Sequence, residues 1–239
     1  MTEWKARRFW TRAGARPAAG GFAVELDDRP LRTPGKQPLI LPTQALAHAV
    51  AAEWDAQADV IDPNTMPLTR AANSAIERVA PQFDAVAGMI AEYGGTDLLC
   101  YRAEAPEILV LRQAEVWDPL IDWAATALGA PLRITHGVIP IPQDPAALAR
   151  LHDHVRALDP FGLTALHDLV SLPGSLIIGL AVLHGRLDGD TAFALSRVDE
   201  EYQAEIWGRD EEAAEHAAHR RNAIRLAERL WHLSRPAAD

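Results

Sequence analysis

The sequence predicts an α+β protein, with a small antiparallel β-rich N-terminal domain followed by a larger all-helical C-terminal domain. Short apolar runs separated by turn residues occupy 9–41, whereas from residue 67 onward apolar residues recur at three- and four-residue steps. Hydrophobic residues make up 49% of the 239 residues, so the chain can form a sizeable core rather than remain disordered. We place the domain boundary after residue 62, which gives domains at 1–62 and 63–239.

The N-terminal domain opens with the predicted antiparallel β unit. Phe22, Val24 and Leu26 occur at every second position, so they share one face of a strand. Turn-forming pairs separate the apolar runs, namely Gly20-Gly21, Asp27-Asp28 and Pro34-Gly35. A strand edge is also expected for the basic start of the chain, which contains Lys5, Arg7, Arg8, Arg12 and Arg16.

One helix should cover this β unit. Thr43 is typical of a helix N-cap, and Leu46, Val50 and Trp54 follow at four-residue steps. Asp62-Pro63-Asn64 then interrupts the helical pattern, and the domain boundary is placed at this break.

The C-terminal domain is predicted to be a succession of helices. Asp144 and Asp159 are suited to N-cap positions, and Pro119 predicts a kink or break. The segment 176–183 is apolar on nearly all sides, which predicts a buried central helix. The stretch 132–138 looks more like a strand. The predicted helical segments are 67–79, 83–93, 108–128, 148–155, 163–170, 176–183 and 211–233.

Composition argues against several classes of ligand. The formal net charge of −10 disfavours nucleic acid or an anionic membrane as the main ligand, because either would require a basic face. The longest apolar run, 176–183, is too short to span a bilayer, so membrane insertion is not expected. Cys100 is the single cysteine, which excludes an intramolecular disulfide and suits a reducing compartment. A basic or apolar protein partner fits this composition better.

The candidate catalytic groups lack the arrangements that enzyme chemistry requires. His152, Asp153 and His154 are adjacent, but they do not have the four-residue ligand spacing of zincins. Ser175 lies outside any Gly-x-Ser-x-Gly sequence, and Cys100 has the character of a buried structural cysteine. We therefore expect no enzymatic activity, cofactor, metal or small-molecule substrate. A metal-dependent hydrolase that uses His152, Asp153 and His154 is the alternative from another class.

The stretch 199–212 joins a dense carboxylate surface to large aromatic residues. Val198, Tyr202 and Ile206 recur at four-residue steps and predict one apolar stripe of a helix. Gly208 can end this helix in the left-handed conformation.

The charges of this stretch predict a binding surface for another protein. Glu201 and Glu205 lie along the edge of the stripe, where like charges four residues apart repel each other, and Arg209 is the lone local cation. We expect a cationic partner to relieve this repulsion. Trp207 is the best candidate for an exposed anchor, and Asp210 is also suited to capping the next helix. The candidate partner-binding residues are Glu201, Tyr202, Glu205, Trp207 and Asp210; a solvated helix face and a core tryptophan are the simpler interpretations.

Six short motifs, in order along most of the chain, carry a family resemblance. They are Leu26-Asp-Asp-Arg-Pro-Leu-Arg-Thr-Pro34, Glu53-Trp54, Met66-Pro-Leu-Thr69, Thr96-Asp-Leu-Leu-Cys-Tyr-Arg102, Trp117-Asp-Pro119 and Asp199-Glu-Glu-Tyr-Gln-Ala-Glu-Ile-Trp-Gly-Arg-Asp210. Each motif alone is unspecific, but the ordered set is specific. With these motifs the chain resembles the assembly chaperones specific for the α subunit of F-type ATP synthase.

The resemblance implies a β-rich N-terminal domain, a helical C-terminal domain, no enzymatic activity and transient binding to unassembled α subunits. The acidic motif of the family corresponds here to Glu201, Glu205, Trp207 and Asp210. We expect an apolar patch rimmed by these acids to bind the α subunit until the β subunit displaces it. A general holdase is the alternative function. Contacts from the basic start of this chain to an acidic patch of the client are another candidate mode of binding. The chain begins almost directly at the β unit, so we expect a bacterial cytoplasmic location, with the mitochondrial matrix for organellar relatives.

Overall fold

The structure is a computed structural model that describes residues 7–137, 139–208 and 210–236. Over these residues the predicted α+β fold is confirmed, with a small antiparallel sheet near the N-terminus and helices in most of the remaining chain. The predictions for Lys5, Val138 and Arg209 lie outside the described residues.

The antiparallel sheet is built around its second strand. That strand pairs with the first strand through the Ala19-Gly20 turn and with the third through Asp27-Asp28, and the fourth strand pairs with it as well. Gly20 and Asp27 both have positive φ, 82° and 53°, as the tight turns require. The four strands are β1 (Ala13–Ala18), β2 (Gly21–Leu26), β3 (Arg29–Pro30) and β4 (Ile40–Leu41).

Helix α1 (Gln44–Asp55) covers the sheet, as predicted. The Leu46 N–H donates to the Thr43 side chain at 3.1 Å, which confirms the N-cap. Leu46 and Val50 are buried. Trp54 is half-buried and packs against Trp10, with the two ring centres 5.4 Å apart. The sheet and α1 therefore form one small core.

Glu53, in the last turn of α1, caps the next helix, α2 (Pro67–Ser74). Its two carboxylate oxygens accept hydrogen bonds from the Leu68 N–H at 2.7 Å and the Thr69 N–H at 2.8 Å. The Thr69 hydroxyl donates to the same carboxylate at 2.7 Å. A carboxylate at a helix N-terminus satisfies free N–H groups and interacts favourably with the helix dipole. Two of the family motifs are thus the two sides of one structural contact.

The later helices follow the predicted order with adjusted ends. Pro119 lies inside one continuous helix, α4, so a break there is wrong, whereas a kink, the other expectation, stays a prediction. The expected strand at 132–138 reduces to β6 (Thr135–His136), which pairs in parallel with β5 (Tyr101–Arg102). The helices are α3 (Phe83–Ala91), α4 (Glu107–Ala127), α5 (Pro145–Arg156), α6 (Pro160–Ser171), α7 (Leu176–Leu183), α8 (Gly189–Leu195), α9 (Val198–Trp207) and α10 (Glu211–Ser234).

Contacts within the chain define two compact units. The first contains the residues up to Gln82 together with Pro160–Thr164 and the residues from Arg229 on; the second contains Phe83–Asp159 and Ala165–Glu228. Helices α6 and α10 therefore each contribute residues to both units. A boundary between independently folding domains after residue 62 stays a prediction.

Helix α7 is the buried centre of the second unit, as predicted, and Asp97 fixes its N-terminus. The Ser175 side chain caps α7 by accepting from the Ile178 N–H at 3.1 Å. Asp97 is fully buried and accepts hydrogen bonds from the Ser175 hydroxyl at 2.7 Å, the Ile177 N–H at 3.0 Å and the Leu99 N–H at 3.0 Å. Burial raises the pKa of the Asp97 carboxyl to about 6, although these hydrogen bonds lower it.

Arg102 connects this segment to α4. Its Nε donates to the Leu99 carbonyl at 2.7 Å, its Nη1 lies 2.8 Å from the Asp118 carboxylate, and its guanidinium lies 5.2 Å from the Trp117 ring centre. The Trp117 indole N–H donates to the Leu195 carbonyl, at the end of α8, at 2.8 Å. The chain just before α9 is therefore tied to α4 and, through Arg102, to the buried core.

Replacing the buried cap should destabilise the protein more than replacing an exposed cap. We expect Asp97→Ala to cost about 2–4 kcal/mol, because it leaves the buried Leu99 and Ile177 N–H groups without an acceptor. Asp144→Ala, which removes the exposed N-cap of α5, should cost about 1 kcal/mol. Urea unfolding followed by circular dichroism measures both losses. Equal losses would show that Asp97 is not a structural centre of the second unit.

Candidate protein-binding site

Helix α9 carries most of the predicted site and has no fully buried residue. Along its predicted apolar stripe, Val198 and Tyr202 are half-buried, whereas Ile206 is 54% exposed. Gly208 ends the helix as predicted, with its N–H donating to the Ala204 carbonyl at 3.0 Å. Its φ of 91° is positive, but its ψ of 162° is not that of the predicted left-handed helical cap. The stripe is thus increasingly exposed toward the C-terminus of α9.

Trp207 is the most exposed large hydrophobic residue that the structure describes, with 78% of its surface accessible. It follows the exposed Ile206, so the end of α9 presents two adjacent large apolar side chains to solvent. The interpretation of Trp207 as a core residue is therefore wrong, and its exposure is confirmed. Exposed tryptophan is a common anchor of protein interfaces because it buries a large area at low entropic cost.

Glu205 is paired with an arginine of another helix. The Glu205 carboxylate lies 2.7 Å from Nη1 of Arg112 in α4. The Arg112 guanidinium also lies 5.5 Å from the centre of the Tyr202 ring. One arginine thus holds two of the candidate site residues and fastens α9 to α4.

The acids in the first half of α9 are paired as well. Glu201 lies 3.4 Å from Arg197, and Glu200 lies 4.0 Å from Arg197 and 3.8 Å from Arg220 of α10. Asp199 accepts a hydrogen bond from the Gln113 amide at 2.6 Å. These pairs join the start of α9 to α4 and α10.

These contacts correct the electrostatic part of the prediction. The acids of α9 were expected to repel each other until a cationic partner arrived, with Arg209 as the lone local cation. Instead, Arg112, Arg197 and Arg220 already compensate them, and two of these arginines are distant in sequence. The carboxylates of Glu201 and Glu205 remain about half exposed, so each ion pair contributes little, on the order of 0–1 kcal/mol. Charge strain therefore does not explain the site.

Asp210 caps α10, as its sequence position suggested. The Ala213 N–H donates to the Asp210 carboxylate at 3.1 Å, and Glu211 and Glu212 occupy the first helical turn, where the dipole favours acids. Glu212 also lies 3.8 Å from His216, one turn further on. The cap role of Asp210 is compatible with a binding role, because the residue is exposed.

A groove of about 780 Å³ lies between α9 and the exposed first half of α10. We call it the α9–α10 groove. Arg197 and Arg220 line the groove near the start of α9, Trp207 and Asp210 line it near the end of α9, and both small residues and polar residues such as Gln203 line it as well. The small residues are Ala204, Ala213, Ala214, Ala217 and Ala218. Sequence reasoning missed this groove, because the alanines become a surface only when both helices are placed.

Three of the groups considered for catalysis, His154, Cys100 and Ser175, are packed or hydrogen-bonded within the fold. The His154 ring nitrogen lies 3.3 Å from the Leu128 carbonyl oxygen, and the ring packs edge-on against His184. The described residues contain no group of three or more His, Cys, Asp or Glu placed to hold a metal ion. Cys100 is buried, and burial raises its thiol pKa to about 12, which disfavours the thiolate. Ser175 donates to Asp97 and caps α7. Among the described residues, every helix is too short or too polar to cross a membrane.

Comparison with known proteins identifies similar sequences. The family model described as "ATP12 chaperone protein" matches residues 7–125. The mitochondrial protein atp12 of Schizosaccharomyces pombe is 27% identical over 223 residues, which cover 87% of this chain and 76% of the yeast protein.

Solved structures extend the similarity over almost the whole chain. The crystal structure of Atp12 from Paracoccus denitrificans is 71% identical with a TM-score of 0.95, and the match covers 98% of this chain and all of that one. An aspartate-to-lysine mutant of the P. denitrificans protein gives a TM-score of 0.96 at 70% identity, with the same coverage. At this identity both sequence and fold are shared, including the part beyond residue 125.

Proposed function

The chain belongs to the ATP12 family of F-ATPase assembly chaperones, and we propose that it binds the unassembled α subunit of F-type ATP synthase. In this proposal it prevents aggregation of the α subunit and hands it over to the β subunit during assembly of the catalytic head. The matching family is described as a chaperone family, which supports a non-enzymatic role, and the proposed function needs neither a cofactor nor a small-molecule substrate.

The exposed end of α9 is the observation that carries the proposal. Ile206 and Trp207 are solvent-exposed neighbours in the sequence, and exposed apolar surface rimmed by polar residues commonly marks a protein-binding site. A subunit that awaits its neighbours exposes interfaces of the obligate, apolar kind. Trp207 provides an apolar anchor that could cover part of such an interface.

The paired acids have two consecutive roles in this mechanism. While no client is bound, Arg112 and Arg197 hold Glu205 and Glu201, and these pairs keep α9 in position. When a basic client surface arrives, the half-exposed carboxylates exchange their internal arginines for cations of the client. Exchange is cheap because surface ion pairs are weak. Rim charges of this kind mainly govern the encounter rate and its dependence on salt.

Release requires that the client be bound with moderate affinity. The β subunit forms a larger, permanent interface with the α subunit, so it can displace a chaperone that covers only part of that surface. For the location we propose the bacterial cytoplasm, which the close similarity to a protein of P. denitrificans supports.

Binding of purified components tests the function. We expect the chain to co-purify with the isolated α subunit, to suppress its aggregation as followed by light scattering, and to be released when the β subunit is added. Release should follow because the permanent αβ interface buries more apolar surface than the chaperone contact.

Two controls separate this function from its alternatives. An unrelated aggregation-prone protein should not be protected; equal protection would indicate a general holdase. Stoichiometric zinc or iron in the purified protein would favour the metal-dependent hydrolase of His152, Asp153 and His154. Failure to bind the α subunit would contradict the proposal itself.

Trp207→Ala tests the anchor. Because Trp207 is exposed, the free energy of unfolding should change by less than about 0.5 kcal/mol, whereas affinity for the α subunit should fall by about tenfold or more. Phe9→Ala removes another exposed aromatic residue, in the first unit, and should leave affinity unchanged. Isothermal titration calorimetry measures both affinities. An affinity of the Trp207 variant equal to that of the parent chain would remove Trp207 from the site.

A further inference from the structure

Small apolar side chains line much of the α9–α10 groove. Ala204 of α9 and Ala213, Ala214 and Ala217 of α10 line it together with polar residues such as Gln203 and His216, and the exposed Trp207 lines it as well. Alanine ends at Cβ, so a row of alanines leaves room for large side chains from another molecule. An occupant with bulky apolar side chains therefore fits this space.

The inner end of the groove is electrically balanced. Arg197 lies near Glu200 and Glu201, and Arg220 lies near Glu200 and donates to the Leu172 carbonyl at 2.6 Å. Arginines that are already paired with carboxylates and carbonyls do not demand an acidic ligand. An occupant consequently needs no charge at this end.

Asp210 lines the outer end of the groove, and the first turns of α10 beside it carry further acids. Four of the seven residues at 210–216 are acids, and none of the seven is a lysine or an arginine. Glu211, Glu212 and Glu215 are all exposed. A cationic group of the occupant would therefore be attracted to this end and not to the inner one.

The dimensions of the groove match a short helix. Helix α9 has ten residues, so the groove beside it runs for about 15 Å, or between two and three helical turns. Recognition of an amphipathic helix in a groove uses apolar anchors at i, i+3 or i+4 and i+7, which span this length.

We propose that the α9–α10 groove binds a single amphipathic helix of the client, with large apolar side chains over the alanines and a lysine- or arginine-rich end at 210–216. This inference rests on the proposed function for the identity of the client as the α subunit. A second copy of this chain is a poor occupant, because its acidic 210–216 end would meet a second acidic end.

A glutamate placed in the middle of the groove tests the apolar contact. Ala217→Glu should weaken binding of the purified α subunit by about tenfold or more, since it buries a charge against the apolar face of the helix. The added negative charge would by itself favour a basic helix, so weakening would report lost apolar packing. Ala149→Glu, at an exposed helical alanine of α5, adds the same charge elsewhere and should bind like the parent.

A photo-crosslinker in place of Ala217, followed by mass spectrometry of the linked peptides, identifies the occupant. We expect a helical segment of the α subunit with an apolar face and a basic end, and a crosslinker in place of Trp207 should reach that basic end. Links to an acidic segment, to a strand or to a second copy of this chain would overturn the inference, as would full affinity of Ala217→Glu. If the parent chain binds the α subunit but these results are not obtained, the groove assignment is wrong and the proposed function stands. If the parent chain does not bind the α subunit, the proposed function itself is wrong.

Discussion

Internal ion pairs between three arginines and the acids of α9 are the constraint on which the candidate site depends. Arg112, Arg197 and Arg220 fasten an otherwise exposed helix to α4 and α10. Each pair is weak, and together with the half-buried Val198 and Tyr202 the pairs hold a helix in which no residue is fully buried. With them, Ile206 and Trp207 project from a defined position, and an anchor that is already ordered loses less entropy on binding. Paired charges, and not unrelieved repulsion between the acids of α9, thus contribute to the position of this helix.

The difference between exposed and buried contacts explains how a chaperone could bind a client and still release it. Weak, half-exposed ion pairs can be exchanged for client contacts at small cost, whereas the buried network of Asp97, Ser175 and Arg102 keeps the supporting unit rigid. In the proposed mechanism, stability and recognition are therefore carried by different residues of the second unit. Substitutions at the exposed end of α9 can change binding while leaving the fold intact.

Local features could be predicted from the sequence, and long-range ones could not. Thr43, Asp144 and Asp210 cap helices as expected, because capping depends only on residues two or three positions away. The buried helix α7 and the sheet followed from apolar patterning. By contrast, Glu53 caps α2 and Arg112 reaches Glu205 only after folding brings distant segments together. Pro119 continues a helix that local rules would break, since tertiary packing overrides propensity. The family motifs largely mark such structural contacts, which is why their residues alone do not define the binding surface.

Exchanging the charges of one ion pair tests most directly whether these acids contact the client. The double variant Arg112→Glu with Glu205→Arg keeps the net charge and can re-form the pair that positions α9, but it removes the carboxylate from position 205. The account predicts an unfolding free energy close to that of the parent chain, together with affinity for the α subunit that is weaker by about tenfold. Affinity equal to that of the parent chain would contradict the account, because it would show that Glu205 only positions the helix and does not bind the client.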